Sequence, residues 1–103
     1  MRLNVKGKHI EITEAIQTYV AKKSERLVRY FDKVLSIDCI IEKESNGFHV
    51  EFIVDVEHHD DFIVNYRDAD LYAAIDLAID REARQLVEHK SRIRDHKHNG
   101  NNH

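Results

Sequence analysis

The middle of the chain, residues 34–67, is a block of three short segments in which apolar and polar residues alternate. Such alternation is typical of strands that bury one face of a sheet. The first two segments, VLSIDCIIEKE and FHVEFIVDVE, are separated by SNG, and the third, FIVNYR, follows the polar turn HHDD. The Asn-Gly step favours a hairpin. Three hairpin-linked strands with one apolar face require a second layer to cover that face.

The period of two also predicts the direction of each side chain in this block. The residues expected to point inward are Ile37, Cys39, Ile41, Val50, Phe52, Val54, Val56, Phe62, Val64 and Tyr66. The opposite face is expected to be acidic, because it carries Asp38, Glu42, Glu51, Asp55 and Glu57.

The segments on either side of this block supply the second layer and one more strand. RLNVKG (2–7) alternates, and residues 12–33 have apolar residues at helical spacing behind Thr13, the expected N-cap. A second helix is predicted over about 70–94, capped by Asp68 or Asp70. Its expected core stripe is Ile75, Ile79, Leu86 and Ile93. The order βαβββα predicts an α+β fold, a two-layer sandwich in which a four-stranded sheet packs both helices on one face.

The length of 103 residues suits one domain, which we place at 1–95, followed by a disordered polar tail at 96–103. With no Pro and three Gly, the chain offers no linker. No apolar run approaches a membrane span, and the start, MRLNVKGKHI, lacks the apolar core of a signal peptide. The single Cys39 excludes an internal disulfide. We therefore expect a cytoplasmic protein with no membrane partner.

The net charge of -3 hides a segregation of charge along the chain. Residues 1–33 hold eight Lys and Arg against four acids, whereas residues 34–69 hold two against nine. Residues 70–103 hold six of each, and all six of those bases lie at or after position 81. A polyanionic partner is therefore compatible with this composition, because the local field matters more than the sum.

The basic residues of the two helices form candidate binding faces. In the first helix, Lys22, Arg26, Arg29 and Lys33 are spaced i, i+4, i+7 and i+11, so they are expected on one flank, with Lys23 at the edge of the apolar stripe. In the second helix, Arg81, Arg84 and Arg92 are expected opposite the core stripe, and Lys90 and Arg94 near the helix end. A stripe of like charges without an intervening acid repels itself, which favours a polyanion site.

A simpler interpretation stays open at this level. A charged helix face is most often solvated surface, and Arg84, Glu88 and Arg92 are spaced for ordinary i,i+4 ion pairs. RNA recognition through the sheet is unfavourable, because that face is expected to be acidic rather than aromatic. Any RNA should meet the helices.

Other chemistry finds little support. Metal binding is unfavourable at His96, His98 and His103, because no neighbouring groups are expected to orient these side chains. It is also unfavourable at the turn residues 58–61, because adjacent side chains there are expected to point in different directions. Cys39 is expected to be an inert core thiol. The sequence has no Gly-rich phosphate loop, no His/Glu metal motif on a helix and no nucleophile elbow. We expect neither catalysis, nor a metal, nor a cofactor.

Two stretches resemble a known family. LNVKGKHIEITEAI (3–16) is similar to the opening of the ribosome hibernation promoting factors and the related protein Y (ribosome-associated inhibitor A), and YFDKV (30–34) fits the end of their first helix. DADLYAAIDLAIDREARQLVEHKSRIRDH (68–96) resembles their last helix. The resemblance implies a βαβββα fold. It also implies a translation inhibitor that binds the small ribosomal subunit, in the channel for mRNA and the A- and P-site tRNAs, and promotes ribosome hibernation in stationary phase or stress.

By position, the resemblance implies rRNA contacts on both helices. The residues are Lys22, Lys23, Arg26 and Arg29 in the first helix, and Arg81, Arg84, His89, Lys90, Arg92 and Arg94 in the last. Glu88 departs from the family, whose members often have Lys there, so contact with RNA is expected to be weaker at that point.

The resemblance also implies the partners. These are the small ribosomal subunit with its rRNA, and a separate ribosome modulation factor that helps short family members to pair ribosomes. Because the chain ends at His103, we expect the short type, a monomer off the ribosome. The alternative from another functional class is a small interaction module whose acidic sheet face docks a basic protein.

Overall fold

The structure, a computed structural model, describes the backbone of residues 1–101 and the side chains of residues 1–94. Its elements are β1 (Arg2–Lys8), α1 (Glu14–Tyr30), β2 (Val34–Glu44), β3 (Gly47–Val56), β4 (Phe62–Asp68) and α2 (Leu71–Asn101). The predicted order βαβββα is confirmed, and so is the α+β class.

The four strands form one mixed sheet in the order β1-β2-β3-β4. β1 is parallel to β2, whereas β2, β3 and β4 are antiparallel neighbours. Parallel neighbours need a crossover connection, so α1 must pass over one face of the sheet between β1 and β2. The register aligns one inward row across the sheet, Val5 with Cys39, Cys39 with Phe52, and Phe52 with Val64.

This inward face and the two helices enclose the core. Nine of the ten side chains predicted to point inward are buried, and Tyr66 is half-buried. α1 packs over β1 and β2, and α2 packs over β3 and β4. The helices contribute the buried residues Ile16, Val20, Leu27, Leu71, Ala74, Ile75, Ala78, Ile79, Ala83 and Leu86. Both helices therefore lie on the same side of the sheet, as predicted.

Side-chain caps define where the helices begin. The Thr13 hydroxyl accepts a hydrogen bond from the Ile16 amide at 3.2 Å, which confirms Thr13 as the N-cap of α1. At the start of α2, the Asp70 carboxylate accepts from the Tyr72 amide at 3.0 Å. Asp68 in turn accepts from the Asp70 amide at 2.9 Å. Asp70 is therefore the cap, and Asp68 holds the turn that precedes it.

The end of α1 differs from the prediction. The helix stops at Tyr30, and Phe31 takes an extended conformation in which its side chain is 5% exposed. The Phe31 ring is buried under the end of the helix layer. The chain therefore leaves the helix at this residue and turns toward β2. Lys33 therefore lies in the connecting turn, and its expected place as the fourth member of a helical stripe was wrong.

The buried face of α2 also differs from the prediction. Ile93, expected in the core, is 48% exposed. It lies one turn beyond His89, whose ring contacts His59 and Phe62 at the end of the sheet. The helix reaches Asn101 and not 94. The predicted disorder at 96–103 concerns residues outside those with described side chains, and it stays a prediction.

One acid occupies a core position that the pattern did not predict. Glu82 is fully buried between the turns of α2 that carry Ile79 and Leu86, and both of its carboxylate oxygens lack hydrogen-bond partners among the described residues. Burial without a partner disfavours the charged form. It raises the pKa of Glu82 to about 8. At neutral pH the side chain therefore packs as a neutral acid.

This burial predicts a pH dependence of stability. The folded-state pKa of Glu82 lies above the ordinary value of 4.5, so the folded protein favours the protonated side chain. The contribution of this group to folding stability is therefore complete below pH 4.5 and is lost as the pH rises toward about 8. Glu82→Gln, which cannot ionise, should gain relative stability by up to about 1.4 kcal/mol per pH unit in that window. Urea titrations of both proteins at several pH values measure this difference. A constant difference between pH 5 and 8 would contradict the assignment.

Candidate nucleic-acid interface

The outer surface of the helix layer collects basic side chains from both ends of the sequence. Lys22 and Arg29 on α1 and Arg84 on α2 are exposed, and Arg81 and Arg92 are exposed on the flank of α2 that borders β4. None of these five forms an ion pair with a residue whose side chain the structure describes. They are the cations most open to a phosphate. Lys33, Lys90 and Arg94 are also exposed.

The remaining α1 cations face α2 across a seam between the helices. Lys23 Nζ lies 3.5 Å from Asp76 Oδ1, and an Arg26 guanidinium nitrogen lies 2.5 Å from Asp80 Oδ1. The α1 stripe was expected to have no acid beside it. That expectation was wrong for Arg26, because the acid comes from another helix. Within the helical part of the stripe, Arg26 is paired, whereas Lys22 and Arg29 form no ion pair with a described side chain.

Tyrosines extend this seam. The Tyr19 hydroxyl donates to Asp76 Oδ1 at 2.7 Å, and that hydrogen bond, with burial, raises the pKa of Tyr19 to about 12. The Tyr19 ring meets Tyr72 edge to face, with centroids 4.7 Å apart. Lys23 Nζ lies 5.4 Å from the centre of the Tyr19 ring. Asp76 thus contacts both a tyrosine and a lysine of α1 across the seam.

The seam pairs are weak enough to exchange. The paired side chains are 37–51% exposed, and ion pairs with this exposure contribute about 0–1 kcal/mol each. A phosphate carries an equivalent charge and equivalent acceptor oxygens. The pairs therefore position Lys23 and Arg26 at the surface without removing them from reach of an anion.

His89 is the candidate residue that the structure does not bring to this surface. It is 7% exposed, and its ring lies 4.5 Å from His59, 5.2 Å from Phe62 and 5.3 Å from Phe31. Burial lowers the pKa of His89, and the neighbouring His59 and Arg92 lower it further. A neutral, buried imidazole does not fit a contact with RNA. The signal was present in the sequence, because His89 falls three residues after the core residue Leu86.

The opposite surface, the outer face of the sheet, has an acidic centre. Asp38, Glu42, Glu51 and Asp55 are half-buried there, and Glu57 is exposed. Cations border this centre, with Arg2, Lys6 and Lys8 on β1 and Arg67 on β4. Arg67 Nε lies 3.0 Å from Glu44 Oε1. A phosphate backbone would meet repulsion at the centre of this face, which leaves the helix layer as the candidate interface.

Other candidate sites carry little chemistry. Burial raises the pKa of the Cys39 thiol to about 12, so it packs as an apolar residue. His58 contacts Glu57 at 3.2 Å, whereas the His59 ring bonds to the Asp60 carbonyl. No group of three potential metal ligands assembles among the residues with described side chains, and His96, His98 and His103 lie outside them. No helix of the described chain is long and apolar enough to cross a bilayer.

Comparison with known proteins assigns the family. Residues 3–94 match the family described as Sigma 54 modulation protein / S30EA ribosomal protein. The ribosome hibernation promoting factor of Azotobacter vinelandii is 35% identical over 92 residues, 89% of this chain and 85% of the relative. That of Escherichia coli is 34% identical over 96 residues, 93% of this chain and all of the relative.

Solved structures agree with this assignment. The N-terminal domain of Thermus thermophilus Protein Y superposes with a TM-score of 0.80 at 38% identity, covering 85% of this chain and 98% of that domain. A ribosomal subunit interface protein from Coxiella burnetii shares the fold, with a TM-score of 0.82 at 21% identity, covering 88% of this chain and 99% of that protein. The resemblance in the first and last segments is thus confirmed, and the chain belongs to the S30EA family together with the ribosome hibernation promoting factors.

Proposed function

We propose that this protein is a cytoplasmic, non-enzymatic translation inhibitor that binds the small ribosomal subunit in the mRNA and tRNA channel and promotes ribosome hibernation. The observation that supports it most is the outer surface of the helix layer. It presents five exposed cations without an intramolecular ion pair in the described chain, Lys22, Arg29, Arg81, Arg84 and Arg92. The proposed partners are the subunit with its rRNA and, where the organism has one, a ribosome modulation factor.

The proposed mechanism is occupancy. Cations at the helix surface bind rRNA phosphates whatever the base sequence, because the interaction is electrostatic and releases counterions. The body of the domain then fills space that mRNA and tRNA need. Lys23 and Arg26 contribute after exchanging Asp76 and Asp80 for phosphate, while His89 takes no part because it is buried.

The acidic centre of the outer sheet face supports the alternative, docking of a basic protein. The two proposals differ in which face meets the partner. Variants on the helix layer should change binding to small subunits under the first proposal, and variants at Asp38 or Asp55 under the second.

Binding to small subunits should depend steeply on salt. Five phosphate contacts give a slope of about −4 in a plot of log affinity against log salt, so affinity should fall roughly 100-fold or more between about 50 and 200 mM. Pelleting of the protein with small subunits across a salt series measures the slope. A flat profile would contradict a phosphate-binding surface.

Asp80 should oppose binding, because it competes with phosphate for Arg26. Asp80→Asn frees this cation, so it should tighten binding severalfold and steepen the salt slope by about one contact. The control is Asp55→Asn, which makes the same charge change on the sheet face and should leave binding nearly unchanged. Weaker binding by the Asp80 variant would show that Asp80 orients Arg26 for RNA.

Reversing two free cations should separate function from folding. Arg29→Glu with Arg84→Glu replaces two attractions to phosphate with repulsions, and both side chains are exposed, so no cavity opens. Inhibition of cell-free translation should be abolished, while the melting temperature stays within about 5 °C. Arg26 is the poorer target, because its reversal would set a glutamate against Asp80.

The control for this variant is Arg2→Glu with Lys6→Glu, which makes the same net charge change on β1 at the sheet face. This control should inhibit like the wild type. If the helix-layer variant still inhibits at wild-type concentrations, or if both variants lose inhibition equally, the proposed surface is wrong.

A further inference from the structure

β4 forms an edge of the sheet that is open to another strand. In the described chain its only neighbour is β3. Two adjoining clefts, of about 450 and 370 Å³, run along its free side beneath α2, and both are lined by Ile63 and Gln85. Ile63 is 53% exposed. An unpaired strand beside an open cleft is a template for strand addition.

The two edges of the sheet differ in protection. β1, the opposite edge, carries Arg2, Lys6 and Lys8, and edge lysines disfavour strand pairing. The sequence of β4, FIVNYRD, has one cation and no Pro. Its hydrogen-bonding register with β3 is continuous from Phe62 to Asp68. The edge that lacks such protection is therefore β4.

Three charged side chains and one amide of α2 lie along the same edge. The residues Arg81, Gln85, Glu88 and Arg92 are spaced i, i+4, i+7 and i+11, and they line the clefts. Glu88 and Arg92 stand level with residues 61–63, whereas Arg81 stands level with residues 63–66. α2 therefore runs antiparallel to β4, with Gln85 beside the middle of the strand.

We propose that the occupant of this edge is a second copy of the chain, added by antiparallel β4–β4 pairing about a two-fold axis at Val64. In this register Asp61 of each copy lies opposite Arg67 of the other. The same axis passes close to Gln85, so Glu88 of each copy faces Arg81 of the other. The strand pair and the helix pair both place opposite charges together about one axis, as an isologous interface requires.

The groups involved are available for these contacts. Neither Arg81 nor Glu88 has an ion-pair partner among residues with described side chains. Arg67 donates to Glu44 through Nε, which leaves its terminal amino groups for the second copy. Asp61 lies near Asp55, and it is exposed. Arg67 of the second copy would offset the repulsion between the Asp61 and Asp55 carboxylates.

The spacing of the helices also fits. α2 packs over both β3 and β4, so it lies near the gap between them. Pairing of the two β4 strands would separate the two α2 helices by about two strand spacings, or roughly 10 Å. That is close to the distance between packed helices, so they would contact without collision.

The interface explains why an acid stands among the α2 cations. Glu88 disfavours phosphate, but it has a cationic counterpart in the paired state. This dimer departs from the monomer expected from the sequence. It would cover Arg81, so it would be a state of the protein away from RNA, and it does not depend on the proposed ribosome binding.

Sedimentation velocity of the full chain at low salt tests this pairing, over roughly 10 to 1,000 µM, the range of weak association. A reversible monomer–dimer equilibrium is expected. Arg81→Glu should weaken it at least about tenfold, because it sets like charges together twice per dimer. Arg81→Glu with Glu88→Arg should restore it, since the pair is only exchanged. Arg84→Glu, an equal charge change outside the clefts, is the control.

Hydrogen exchange locates the contact. The amides of residues 62–68 should exchange more slowly in concentrated wild-type protein than in dilute protein. A chain that stays monomeric throughout, a dimer that tolerates Arg81→Glu, one equally sensitive to Arg84→Glu, or protection confined to other strands would each overturn the proposal.

Discussion

The apolar inner face of the sheet is the constraint on which the rest of the structure depends. Four strands present that face on one side only, so both helices must cover it. The β1–α1–β2 crossover brings α1 over the first half, and α2 covers the second half after β4. Because both helices bury one side here, their outward sides form a single surface. Cations separated by some fifty residues in sequence, such as Arg29 and Arg84, thereby come to the same side of the molecule.

The same packing decides how much of that charge is available. Where α1 and α2 touch, Asp76 and Asp80 offset Lys23 and Arg26, and Asp76 also accepts from Tyr19. Away from the seam, Lys22 and Arg84 form no ion pair with a residue whose side chain the structure describes. Packing therefore divides the basic residues into a paired seam and free flanks. An anion that binds should meet the flanks first, because no ion pair has to break there.

The strands, both helix caps and the shared helix face were predictable because each follows from local periodicity and local hydrogen bonding. The errors arose where tertiary contacts decide. Phe31 ended α1 early and removed Lys33 from the stripe, because the ring is buried in the core. Ile93 and His89 share one helix face, but the sheet ends between them, so the histidine is buried and the isoleucine is exposed. Hydrophobic periodicity predicts the direction in which a side chain of α2 points, but it does not predict how far the sheet extends beneath the helix. The pairing of Lys23 and Arg26 with Asp76 and Asp80 could not be predicted from the pattern of α1 alone, because both acids lie on α2.

The two proposed interactions of α2 are linked through Arg81. If that side chain faces Glu88 of a second copy in the dimer and a phosphate on the ribosome, the two states exclude each other. By mass action, RNA then favours the monomer and high protein concentration favours the dimer, with equal and opposite effects on the two equilibria. In this arrangement Glu88 reduces the affinity for phosphate and stabilises the dimer, so it shifts both equilibria toward the dimer and away from the RNA-bound monomer. A lysine at this position would reverse both effects together. That coupling distinguishes the arrangement from a surface on which Glu88 is simply solvated.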